Sequence, residues 1–321
     1  MSLVIEVSAP SRLHFGLLSF GHSGTRQFGG AGLMIDQPGL RLRISPHPEF
    51  VAVGPLATRA RAVAEHWTRL ASLPELPACK VEITSAPGEH QGLGTGTQLA
   101  LSVVAGIQSF LGGPPLEPLE LATLAGRGAR SAIGTYGFVQ GGFLVERGKL
   151  DHERLAPLEL RLPVPADWRF VLVQLSDLPG LSGTDECGAF EDLPPVPAAT
   201  TEALSAELCD ELVPAVAQAD FTRFSSSLYR YGHMAGMCFA ARQGGPFASR
   251  RIAELVALIR SRGEQGVGQS SWGPTIFVAQ PNVAAAVEFV DELRPLLNYD
   301  DTLTIAEPNN VGARIVRSSA P

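Results

Sequence analysis

The stretch "SAPGEHQGLGTGTQLALSVVAG", residues 85–106, decides how the N-terminal half of the chain is read. Immediately before it, Val81 and Ile83 of "KVEIT" (80–84) share one face of a strand. Gly92, Gly94 and Gly96 then fall at every second position. From about Thr97 to Leu111, Leu99, Val103, Ile107 and Phe110 recur at helical spacing, and "GGPP" (112–115) ends the run. A strand, a Gly-rich turn and a helix make a physical anion site. Glycines let the backbone approach a ligand, and free N–H groups with the positive end of the helix dipole favour phosphate. Thr95 and Thr97 add hydroxyls and Gln98 an amide. No Gly-Lys-Ser/Thr closes the loop, so it is not a Walker A motif. The spacing GxGxG also departs from the dinucleotide fingerprint. From the loop alone, a tight connection without a ligand stays open as the plain alternative.

Outward from this loop, "LVIEVS" (3–8) alternates as a half-buried strand that Pro10 is expected to end, and "LRLRIS" (40–45) is a second strand. Residues 56–71 have helical spacing. A short helix near 117–130 leads into "AIGTYGFVQGG", read as a Gly-rich turn, and "FLVERGKL" reads as a hairpin arm. "RFVLVQL" (169–175) is a continuous apolar strand, and "EDLPPVPAAT" (191–200) a Pro-rich connector. Helices are expected across 201–219, 221–241 and 249–262. "TIFVAQ" (strand), "NVAAAVEFVDELRPLL" (helix) and "TLTIAEP…ARIVRS" (strands) follow. This order predicts an α+β chain with a seam near 150–168, dividing it into units 1–160 and 161–321.

Of 321 residues, 45% are hydrophobic, enough for a sizeable core, and the net charge of −7 argues against a nucleic-acid or anionic-membrane binder. Lys80 and Lys149 are the only lysines, so nearly all positive charge is arginine, the planar bidentate partner of phosphate and carboxylate. Cys79, Cys187, Cys209 and Cys238 are widely separated, without metal-ligand spacing. "MSLVIEVSAP" lacks a signal peptide's basic and apolar regions, and no apolar run reaches 18 residues. A cytoplasmic setting is expected, and the apolar helical C-terminal half suits a homodimer.

"GLGTGTQLALSV" resembles the phosphate loop of the galactokinase–homoserine kinase–mevalonate kinase–phosphomevalonate kinase (GHMP) superfamily, with Thr-Gly-Thr-Gln replacing the usual Ser-Ser-Ala. That variant resembles one branch, the beta-ribofuranosylaminobenzene 5'-phosphate synthase family. "SAPSRLHFGLLSFG" (8–21), "RQFGGAGLMID" (26–36), "RSAIGTYGFVQGGFLVE" (130–146), "GLSGTDECGAF" (180–190) and "GVGQSSWGPTIF" (266–277) resemble further blocks of the same branch, in order along the chain. The resemblance implies a two-domain GHMP kinase-like fold, with an N-terminal ribosomal-protein-S5-like domain and a C-terminal ferredoxin-like α/β sandwich. It implies condensation of 5-phosphoribosyl 1-diphosphate with 4-aminobenzoate or 4-hydroxybenzoate, releasing CO2 and diphosphate, on the way to tetrahydromethanopterin. The acidic residue that superfamily kinases place after the loop is missing from "SAIGTYGFVQGG". An ATP-dependent small-molecule kinase and a non-catalytic phosphosugar-binding relative are the two rival readings.

The same resemblance nominates residues. Arg12 and His14 alternate on one side of the first strand and are expected to pair with an anion and to hydrogen-bond substrate. Gln269 and Ser270 join them as catalytic candidates. Gly92, Gly94, Thr95, Gly96, Thr97 and Gln98 form the cradle; Arg26, Tyr136, Ser271 and Trp272 are further substrate contacts. Arg127 reads as part of a solvated face. Mg²⁺ is the expected cofactor, with Asp185 and Glu186 as its ligands and Asp36 as the alternative. Tyr229, Tyr231, His233, Met234 and Met237 read as core or interface filler on a helix.

Overall fold

The computed structural model describes residues 2–176, 178 and 193–320. Its first sheet is built on two long strands, β1 (Ser2–Ser19) and β2 (Phe28–Pro46), paired antiparallel. β3 (Val51–Val53) and β4 (Cys79–Ser85) extend it beyond β2, while β5 (Phe143–Glu146) and β6 (Leu158–Leu162) attach to the other half of β2. The second sheet has the order β10-β7-β9-β8, from β7 (Arg169–Gln174), β8 (Val267–Gln269), β9 (Thr275–Gln280) and β10 (Thr302–Ala306). The last strand, β11 (Arg314–Ala320), returns to the first sheet and pairs with β1, so the chain's end is shared between the halves.

β1 does not end at Pro10. A bulge between Ala9 and Ser11 absorbs the residue that lacks an N–H, and the strand runs on to Ser19. A second bulge, between His14 and Gly16, breaks the inward–outward alternation. His14, Phe15, Gly16 and Leu17 consequently all reach the same cavity.

α1 (Ala57–Leu70) and α2 (Thr95–Phe110) cover one face of the first sheet. Leu99, Val103 and Ile107 are fully buried there against Val7, Leu42 and Ile44, as the helical spacing predicts. α3 (Pro118–Leu124) follows, and the segment read as a Gly-rich turn is a helix, α4 (Ile133–Gln140). Gly134 and Gly137 are poor helix formers, but close packing demands them. A side chain at Gly137 would overlap Met34 of β2, and one at Gly134 would press on Thr97 of α2. Tertiary contact here overrides propensity.

The longer C-terminal helices are α5 (Ala198–Ala206), which continues through a π-helical stretch Glu207–Leu212, then α6 (Phe221–Met237), α7 (Arg250–Ser261) and α8 (Val283–Leu293). Asp220, Ser249 and Asn282 cap α6, α7 and α8 through their side-chain oxygens. Phe224, Leu228, Tyr231 and Ala235 recur along α6 and join Leu13, Phe143, Phe170 and Phe277 in one core between the sheets. Tyr231 is therefore core, as read from the sequence, and Met234 is half-buried against that core. Met237 is exposed. No helix among the described residues is long and apolar enough to cross a membrane.

Candidate active site

A cavity of about 430 Å³ opens where the loop before α2, the middle of β1, the 126–131 turn, the C-terminal part of α6 and the 269–273 loop meet. That size suits a small-molecule ligand. Gly94, in the left-handed conformation, precedes α2, and its carbonyl accepts the N–H groups of Thr97 and Gln98 at 2.9 and 3.0 Å. No side chain caps this terminus, which leaves the first N–H groups of α2 to whatever enters the cavity.

Four arginines line the same region: Arg12, Arg59, Arg127 and Arg130. Arg12 is fixed by its backbone N–H, which donates to Leu93 O at 3.0 Å, and its guanidinium lies against Gly94. Arg59, on α1, lies across Gly96 where a side chain would otherwise project, and pairs with Glu89. The sequence reading puts Arg127 on a solvated face, but it is half-buried in the cavity wall. Burial, and then the charge of Arg59, hold its guanidinium below the ordinary arginine value. Arg59 has Glu89 as its partner, whereas Arg127 Nε has no hydrogen-bond partner among the described residues.

The 269–273 loop locks onto the glycine loop. Ser270 is fully buried; its Oγ accepts the N–H of His14 at 3.1 Å and donates to Gly92 O at 2.8 Å. The Ser271 N–H donates to His14 O at 3.1 Å. Gly92 (φ +81°) and Gly273 pack backbone to backbone; a side chain on either would overlap the other loop. Ser270 thus joins three segments behind the cavity wall. Gln269 lines the cavity, but its amide is engaged by Ala248 N and Ser271 O at 2.9 and 3.2 Å. Trp272 lines the cavity and meets Phe239 edge to face at 4.9 Å.

His14 is only 5% exposed and lines the cavity, and its Nε2 has no hydrogen-bond partner among the described residues. Burial, and then the Arg12 charge, hold its imidazole well below the usual value, so it is neutral near pH 7. Glu146, at the end of β5, is fully buried and accepts the N–H of Ala132 at the start of α4. Burial pushes its carboxyl up to about 7, against the opposing pull of that N–H, of Ser131 and of Arg12.

The sequence candidates divide. Arg12, His14, Gly92, Gly94, Thr95, Gly96, Thr97, Gln269, Ser271 and Trp272 are brought together around the cavity. Thr95 Oγ1 donates to Gly88 O at 3.1 Å. Gln98 is buried one turn into α2 and donates to Gly134 O at 2.9 Å, tying α2 to α4. Arg26 is elsewhere, clamped on Glu153 at 2.8 and 3.0 Å and on Gly148 O. Tyr136 is not in the cavity wall either; its hydroxyl donates to Ala156 O at 3.1 Å. Asp36 holds the Glu307 N–H, away from the cavity. Asp185 and Glu186 lie outside the described residues. Arg59 was missed, because a helical arginine in "ATRARAVAEHW" carries no motif. The clue was only that α1 and α2 had to pack side by side.

For Mg²⁺, the described cavity wall is a poor match. It carries arginine, histidine, amide and hydroxyl groups but no carboxylate, and no cluster of metal-ligating side chains occurs among the described residues. A hard divalent cation prefers oxygen ligands including carboxylates.

The architecture is that of the GHMP kinases. A homoserine kinase from Cytophaga hutchinsonii superposes with a TM-score of 0.65 at 15% identity, covering 98% of this chain and 97% of that one. A mevalonate diphosphate decarboxylase from Staphylococcus aureus superposes with a TM-score of 0.69 at 13% identity, covering 98% of each. The relatives in sequence are narrower. Proteins named beta-ribofuranosylphenol 5'-phosphate synthase share 28% identity over 305 residues in Archaeoglobus fulgidus and 27% over 311 in Methanothermobacter thermautotrophicus. Each of these alignments spans 89% of this chain, with 90% and 93% of the relative. The protein of that name in Methanocaldococcus jannaschii is 24% identical over 96% of this chain and 99% of its own. No family model matches the chain. The resemblance carried by the six sequence blocks therefore stands: the chain is a relative of these synthases on a GHMP kinase scaffold.

Proposed function

We propose that this chain is a decarboxylating phosphoribosyltransferase. It joins 5-phosphoribosyl 1-diphosphate to 4-hydroxybenzoate or 4-aminobenzoate, forming a C-riboside 5'-phosphate for tetrahydromethanopterin synthesis and releasing CO2 and diphosphate. The observation that carries this reading is the arginine-lined N-terminus of α2 in a chain whose full-length relatives bear the synthase name. The phenol in that name favours the hydroxy acid.

The reaction balances without an oxidant. The bond from ribose C1 to the diphosphate oxygen breaks, and its electron pair leaves with diphosphate. The ring carbon bearing the carboxylate bonds to C1, pushed by the para oxygen or nitrogen. The carbon–carboxylate bond then breaks, and its pair restores the aromatic ring. Charge develops on the leaving diphosphate and on the sugar carbon. The α2 N–H groups with Arg12, Arg59 and Arg127, which line the cavity, would stabilise the first. His14, neutral and buried, offers a hydrogen bond at the reacting centre without adding a positive charge beside the sugar cation.

Mg²⁺ stays a proposal tied to Asp185 and Glu186, and no step above is routed through it. Chelation that removes turnover, with recovery on adding Mg²⁺, supports it. The division at 160/161, a cytoplasmic setting and a homodimer are proposals of the same standing.

The deciding assay supplies carboxyl-labelled 4-hydroxybenzoate and 4-aminobenzoate with phosphoribosyl diphosphate and Mg²⁺. Label is expected to leave as CO2 only when the sugar diphosphate is present. No release from either acid overturns the reading.

A further inference from the structure

The cavity has a second end, chemically unlike the first. One face of α6 closes it: Gly232, Ala235 and Gly236 recur at spacings of three and four, and all line the cavity. Phe239, Phe247 and Trp272 stand around that face. His14, with its buried Nε2, lies on β1 between Arg12 and Gly16.

Gly232 has no packing reason to be glycine. A Cβ there would meet only Phe15 O, at 3.7 Å, an ordinary contact. At Gly236, in contrast, a Cβ would overlap Pro246 O. Glycine inside a helix is also less favourable than alanine. What the missing side chain at 232 provides is depth, a flat floor under aromatic walls.

The direction of attack supplies the second line of argument. The sugar diphosphate is α-configured at C1, and the relatives' name gives a β product. The ring therefore approaches C1 from the face opposite the leaving diphosphate. Along β1, Arg12 lies against Gly94 at the α2 terminus and Gly16 lies against Ala235 of α6, so the wall across from a diphosphate held at that terminus is α6. Resting on the reaction proposed above, we infer that the α6 end of the cavity seats the aromatic acid and that Gly232 sets the space it is allowed. The carboxylate-bearing carbon faces C1 near His14, and the para group leads into the apolar end.

The test uses the full-length protein with Gly232→Ala and Gly232→Leu, measuring kinetics with each substrate varied and titrating 4-hydroxybenzoate binding directly. Gly232→Ala is expected to melt at the same or a higher temperature and to weaken the acid by only a few-fold. Gly232→Leu is expected to raise the KM and the dissociation constant of the acid by roughly thirtyfold or more, with the KM for phosphoribosyl diphosphate within about twofold. Unchanged acid binding in a folded Gly232→Leu protein overturns the inference, as does an equal loss for both substrates. Failure of wild-type protein to bind either acid also overturns it. Wild-type acid binding that Gly232→Leu abolishes, without CO2 release in wild type, leaves the subsite standing and overturns the reaction.

Discussion

The two ends of the cavity are built in opposite ways. At the α2 end the wall is made of what is present: backbone N–H groups and arginine side chains from α1, β1 and the 126–131 turn. At the α6 end it is made of what is missing, a run of side chains no larger than a methyl group beneath aromatic rings. Charge acts over several ångströms, so a phosphate site tolerates contributions from distant segments. A flat slot acts by exclusion, and one added side chain fills it. The first end presents charge and the second presents shape.

The largest expected effect comes from stripping charge at the first end. Arg59→Met with Arg127→Met removes two charge-assisted partners, each worth about 1.5–3 kcal/mol. The kcat/KM for phosphoribosyl diphosphate is expected to fall by about 10²–10⁴-fold, while the KM for the acid moves by less than about threefold. Steady-state kinetics with each substrate varied decides this. A matching rise in the acid KM breaks the separation of the two ends.

Glu146 tests the charged end from beneath. Its folded value of about 7 lies above the ordinary 4.5, so the protonated form is the one that folding favours. Its contribution to stability is whole below about 4.5 and is lost as pH rises through about 7. Between pH 5 and 8 the chain is expected to lose about 2 kcal/mol from this group. Glu146→Gln is expected to flatten that slope in denaturant titrations at the two pH values. An unchanged slope removes Glu146 as its source.

The smallest effect sharpens the comparison. Thr95 Oγ1 donates to Gly88 O, so Thr95→Ala is expected to cost about 1 kcal/mol of stability. The KM for the sugar diphosphate is expected to stay within about threefold. A larger kinetic loss turns the hydroxyl toward the substrate.

Much of the fold was legible locally. The helix read as 97–111 is α2 at Thr95–Phe110, and the strands at 80–84 and 169–175 lie within a residue of β4 and β7. Apolar spacing carried those readings, because a helix or strand with one buried face repeats its period in the chain. α4 was not legible, since Gly134 and Gly137 weaken local helix preference and only Met34 and Thr97 explain them. The continuation of β1 past Pro10 depends on a bulge, which propensity does not report. In the site, Arg12 and His14 were readable from alternation on one strand. Arg26 and Tyr136 stood in blocks just as distinctive, yet their partners, Glu153 and Ala156, lie away from the cavity. Arg59 and Arg127 carried no local mark.

By itself the sequence determined the glycine turn before α2, the scaffold and the kinship with the synthases. These rest on short-range order: glycine spacing, a helix start and six blocks along the chain. Only the tertiary structure decided which arginines face the cradle, and that Ser270 holds the two loops together from behind the wall. It alone showed that the glycine at 232 lines a slot. Those facts depend on which segments meet across the fold, and neither charge nor void is recorded in the neighbours of a residue along the chain.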